Sequence, residues 1–234
     1  MSGASQLMRF MATFTTAGKL NLRPVPPEIA SAAIVLVAGI FVLSFYNLAS
    51  HSAHMAAHIA LMNVVAPVVA SAAVRRQAFR FDRAAGMWAA AVTQLALLWI
   101  WHVPAMHAWA MQSATAQVAM HGSLFASALC FWALVLSLSR VKRWQAIPAL
   151  LLTGKLVCLL SALIIFSPRV LYDIPAAAHQ HIAAAASLDD QQFAGLLMIT
   201  ACPLSYIIVG IFFAARFMFP VEGTLVLRRR AAVR

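Results

Sequence analysis

Apolar positions run almost unbroken from residue 29 to residue 219, interrupted only by short polar or basic clusters. A helix needs about 20 mostly apolar residues to cross the hydrocarbon of a bilayer. Stretches that meet this condition lie at 29–50, 51–74, 84–103, 116–139, 146–167 and 191–219. The pattern therefore predicts an all-α, polytopic membrane helix bundle with about six transmembrane helices. The first two spans share one apolar run, and the polar cluster Tyr46-Asn47-Leu48-Ala49-Ser50-His51 marks a tight turn between them. Arg75, Arg76, Arg80 and Arg83 separate the second and third spans, Pro104 and the polar stretch from Gln112 to Thr115 separate the third and fourth, and Arg140, Lys142 and Arg143 follow the fourth. With no internal repeat, the expectation is one transmembrane domain at 29–219 between an N-terminal segment, 1–28, and a basic tail, 220–234.

Composition agrees with a bilayer as solvent. The chain is 63% hydrophobic and 10% charged, with mean hydropathy +0.86, more apolar surface than one soluble core of 234 residues would hide. The net charge of +11 would suggest nucleic acid in a soluble protein, but its distribution reads as topology and no nucleic-acid partner is expected. Cytoplasmic loops carry excess lysine and arginine. With the N-terminus inside, every lysine and arginine except Lys155 and Arg169 falls on the cytoplasmic side, as do both termini. Residues 1–28 lack a continuous apolar core of signal-peptide type, so the first span is expected to be an uncleaved anchor. The expected location is the inner (cytoplasmic) membrane of a bacterial cell, in contact with membrane lipid. Trp99, Trp101 and Trp109 should lie near the outer interface, and Trp88 and Trp144 near the inner one.

This topology places all eight histidines on the outer half or in outer loops. Histidine inside a span is expensive and marks a candidate functional position. At about 100° per residue, His51, His54, Met55, His58 and Met62 share one stripe at the start of the second span. Imidazole and thioether together suit copper, with methionine favouring Cu(I). An i, i+4 histidine pair is also the zinc-protease arrangement, but no glutamate lies between His54 and His58 to act as base. The plainer alternative is a set of interfacial histidines bonded to water, with methionines as flexible packing. His102 and His121 reach the same depth on other spans, whereas His107, His179 and His181 are expected in loops as solvated side chains. Ser187-Leu188-Asp189-Asp190 resembles a capping box for the sixth span, and Asp190 is either part of that cap or a ligand or partner of a metal-bound histidine. Lys155 lies near the middle of the fifth span without an assigned role. Cys130, Cys158 and Cys202 have no ligand spacing and read as packing residues.

Several stretches resemble, in order, the motifs of the polytopic CtaG-type cytochrome c oxidase assembly factors: His54-Met55-Ala56-Ala57-His58 with Leu61-Met62 and Ala66-Pro67; Trp101-His102-Val103-Pro104; His121 with Phe131-Trp132; Ser167-Pro168-Arg169-Val170-Leu171-Tyr172; and Asp190 through Met198. The resemblance implies a non-enzymatic factor in the maturation of a haem-copper oxidase, delivering or inserting copper at the outer side. The positions it carries over are His54, His58, His102, His121 and Asp190. Its implied partners are cytochrome c oxidase subunits and a periplasmic copper donor. Two other readings stay open: a membrane redox protein of cytochrome b type, with haem held by histidines on facing helices, and an assembly scaffold that binds no metal.

Overall fold

Two serines set the helix starts that matter most. Ser50 has extended backbone and its hydroxyl accepts from the Ala53 N–H, and Ser113 does the same for the Ala116 N–H, each satisfying a donor that a first turn leaves orphaned. The computed structural model describes residues 50–75, 84–139, 141–172 and 188–218. Six helices are found there: α1 His51–Arg75, α2 Ala84–Trp101, α3 Pro104–Gln112, α4 Ala114–Ser137, α5 Ala146–Ile165 after a 3₁₀ turn at Arg143–Gln145, and α6 Leu188–Met218. All except α3 are long and apolar enough to cross a membrane. They correspond to the second through sixth expected spans, with ends shifted by at most three residues. The first expected span, the two terminal segments, His179 and His181 lie outside the described residues.

The bundle turns apolar side chains outward and buries a set of polar ones within an apolar core. Val92, Leu159, Leu163, Ile208, Ile211 and Phe212 are exposed, while Asn63, Gln94, Thr153, Ser161, Gln191 and six histidines are buried. Hydrocarbon solvates the former, and the latter must find partners within the bundle. Thr153 and Ser161 donate to the carbonyls of Ala149 and Val157 one turn back, and Gln94 donates from Nε2 to the Tyr206 hydroxyl at 2.8 Å. The most extensive helix pairing is α5 with α6. Its close approach is set at Gly195, where a Cβ would stand 2.6 Å from Ile165 Cγ1. Lys155, near the middle of α5, faces outward among exposed leucines.

α1 is not regular throughout. Residues Ala60–Val65 form a π-helical turn, and the Ala66 N–H bonds the carbonyl of Leu61, five residues back. The next donor in that register would be residue 67, aimed at Met62, but Pro67 has no N–H. Trp132 of α4 fills the gap, donating from Nε1 to the Met62 carbonyl at 3.1 Å. Trp132 is fully buried and stacks on Tyr206 of α6 with ring centroids 5.3 Å apart. One side chain thus completes the interrupted ladder of α1 and ties three helices together.

The alternation of chain direction gathers the start of α1, the end of α2, all of α3, the first turns of α4, the segment after α5 and the start of α6 at one end. Arg75, Lys142, Arg143 and Arg216 lie toward the other end. Two expectations change here. The connection after Pro104 contains the helix α3, whose first residue is that proline; a ring-locked φ is favourable at a helix start. Trp101 is buried, donating to Ser123 Oγ at 3.0 Å and stacking on exposed Trp109, so it is a packing residue instead of a belt residue.

Replacing Trp132 by Phe leaves the Met62 carbonyl buried without this donor, which should cost about 1–3 kcal/mol. Thermal unfolding in detergent should show the loss. Adding Pro67→Ala restores an N–H for the same carbonyl and should recover part of the stability; a double variant no more stable than the single one would refute this role for Trp132.

Candidate metal centre

The helical stripe expected at the start of α1 is present and faces inward: His51, His54, Met55 and His58 are all buried. The His54 and His58 Nε2 atoms are 2.9 Å apart, one ring donating to the other. From the second turn of α4, His121 stacks on His58, with centroids 4.5 Å apart and planes within 10°, and meets His54 edge-on at 5.2 Å. His121 Nδ1 lies 2.8 Å from the Gln117 carbonyl, so in its neutral form Nδ1 carries the proton and Nε2 the lone pair. Metal-bound histidines are held by the same kind of backbone contact.

One ligand nitrogen from each of His54, His58 and His121 lies within 4.8 Å of the others. Around a metal bound at about 2.0–2.1 Å in trigonal or tetrahedral geometry, ligand nitrogens stand about 3.3–3.6 Å apart. The observed separations bracket that value, so small ring movements complete a three-imidazole site. The triad contains no carboxylate or thiol, a donor set suited to copper or zinc and ill suited to magnesium or calcium.

The remaining expected site residues surround this triad. His51 stacks on Tyr172 at 4.5 Å. His102, in the turn after α2, has Nδ1 2.6 Å from the Leu98 carbonyl, while its buried Nε2 has no hydrogen-bond partner among the described residues. Met55 and Met62 are buried and line a cavity of about 20 Å³ beneath the triad, along with His58 and His102. Asp190 stands at the N-terminus of α1, outside the triad. Its carboxylate accepts from the His51 N–H at 2.6 Å, the Ser52 N–H at 3.3 Å and the Ser52 hydroxyl at 2.5 Å. It caps the N-terminus of α1; the capping-box start of its own helix at Ser187, expected from the sequence, lies outside the described residues.

Two cluster members were not expected. His107, placed in a solvated loop by its sequence context, is 3% exposed on α3 and meets His51, His54 and Tyr172 edge-on at 5.3, 5.6 and 4.7 Å. Tyr172 donates its hydroxyl to the His102 carbonyl at 2.9 Å. A continuous series of rings therefore runs from Tyr172 through His51, His107 and His54 to His58 and His121. The proline that opens α3 and the histidine one turn later were the available signals for His107.

Burial, reinforced by His51, His102 and His121, lowers the His107 pKa from 6.5 to about 3. An unfolded chain takes up a proton at His107 below about pH 6.5 that the folded chain refuses until about pH 3. Stability from neutral His107 is thus complete above pH 6.5 and is lost as pH falls through that window, by at most about 1.4 kcal/mol per pH unit. The unfolding midpoint in detergent should drop between pH 7.5 and pH 5, and His107→Gln should flatten the slope; an unchanged slope would contradict the assignment.

Comparison with known families places these residues in context. The signature of the cytochrome c oxidase caa3 assembly factors (Caa3_CtaG) matches residues 29–218, which contain all of the histidines and helices described above. Comparisons with curated proteins and with solved structures give no match. A polytopic helical bundle with this ordered set of motifs, matched over most of its length, belongs to the cytochrome c oxidase caa3 assembly factor family.

Proposed function

We propose that the protein holds Cu(I) at His54, His58 and His121, on the periplasmic side of a bacterial inner membrane, and passes it to a subunit of a haem-copper oxidase during assembly. The observation that carries this reading is the convergence of three buried imidazoles from two helices with no carboxylate or thiol among them. Family membership supplies the oxidase as the partner. The orientation rests on charge: the histidine end is poor in lysine and arginine, and the opposite end holds Arg75, Lys142, Arg143 and Arg216.

The mechanism is ligand exchange. Cu(I) is soft and tolerates low coordination numbers, so one imidazole at a time can be replaced by an incoming donor while the others keep hold. His54 and His58 share a hydrogen bond when no metal is present, and its proton must shift to a ring Nδ1 or leave before both Nε2 atoms can bind. His107 packs edge-on against His54 of the triad and is backed in turn by His51 and Tyr172. The cavity of about 20 Å³ beside the histidines has room for a water or one ion.

The test pairs copper binding with assembly. His54→Ala with His58→Ala should remove imidazole-bound Cu(I) from purified protein and lower oxidase activity in membranes by at least tenfold, with protein abundance maintained. Undiminished copper and oxidase levels in that variant would overturn the proposal.

A further inference from the structure

The cavity beneath the triad has a composition that hydrophobic packing does not explain. The chain contains eleven methionines and three cysteines in 234 residues, yet Met55, Met62, Met198 and Cys202 are four of the fourteen described residues lining this one space. They come from α1 and α6, and all four are buried. His102 completes the wall from the turn after α2. Its Nδ1 is committed to the Leu98 carbonyl, and its fully buried Nε2 has no hydrogen-bond partner among the described residues. Among the described residues no carboxylate lines the space, so a hard divalent cation would lack compensating charge. A volume of about 20 Å³ accepts one small occupant. His58 belongs to both the triad and this wall.

We propose that this cavity is a second Cu(I) site, sulfur-rich and in series with the imidazole triad through His58. Thioether, thiol and imidazole are the donors that Cu(I) prefers, and the site supplies all three from buried side chains. Copper entering at the triad moves inward by exchanging imidazole nitrogen for sulfur, so the chain stores two ions at different depths. The inference rests on the copper reading of the triad, and its test separates the two. A single water bonded to His102 Nε2 and to Gln94 Oε1, which has no hydrogen-bond partner among the described residues, is the competing occupant.

Full-length protein in detergent would be titrated anaerobically with Cu(I) against a chromogenic Cu(I) chelator and examined by X-ray absorption at the copper edge. The expected result is two Cu(I) per chain with both nitrogen and sulfur scatterers. Met62→Leu with Met198→Leu and Cys202→Ala nearly conserves volume and should leave one Cu(I) with nitrogen scatterers alone. His54→Ala with His121→Ala should leave one Cu(I) that retains sulfur. One Cu(I) in the wild type with nitrogen alone, unchanged by the sulfur substitutions, would overturn the second site while leaving the triad intact. No Cu(I) in the wild type would overturn both. Should the sulfur variant fail to fold, the wild-type spectrum still decides, because a spectrum without sulfur is incompatible with the proposal.

Discussion

The carboxylate of Asp190 closes the N-terminus of α1 from another helix, and the histidine end depends on that joint. The first turn of any helix leaves N–H groups without partners and carries the positive end of the helix dipole. Here the His51 and Ser52 amides and the Ser52 hydroxyl all point at one carboxylate borne by α6. In surroundings poorer in water than a soluble surface, such charge-assisted bonds gain strength and their loss is costly. The next residue, Gln191, performs the matching task for the segment after α5: its Oε1 accepts from the Leu171 N–H at 2.6 Å, and its Nε2 donates to the carbonyls of Arg169 and Ile164. Two consecutive residues of α6 therefore hold both the helix that carries His51, His54 and His58 and the segment that carries Tyr172.

The membrane helices were legible because hydrocarbon imposes a length and a composition that survive any detail of packing. The ends of α1, α2, α4, α5 and α6 lie within three residues of the expected spans. The stripe from His51 to Met62 was legible for a similar reason, since helical periodicity assigns a face without knowledge of the neighbours. What could not be read was which residues meet across helices. His107 looked like a loop residue because the nine residues of α3 are too few to form a span; its burial comes from contacts with His51 and His54, more than fifty positions away. Asp190 showed its capping chemistry in sequence but not its partner, which is 139 residues distant. Cys202 read as packing because its neighbours in the cavity, Met55, Met62 and Met198, come mostly from another helix. The π turn of α1 also escaped notice, although Pro67 and Trp132, the residues that define it, stood among the motifs.

Ring packing and the convergence of imidazole nitrogens are parts of one arrangement. The rings at this end are positioned by backbone carbonyls, as in His121 to Gln117 and His102 to Leu98, and by contact with one another. Three of them bring nitrogens close enough for one ion. The family to which the chain belongs assembles cytochrome c oxidase, and on the proposed reading the triad would contribute a metal to that process. The most direct measurement is anomalous diffraction at the copper edge from the full-length protein loaded with Cu(I). The arrangement predicts a copper peak at about 2 Å from one nitrogen each of His54, His58 and His121. Rings in place with no copper among them would contradict it.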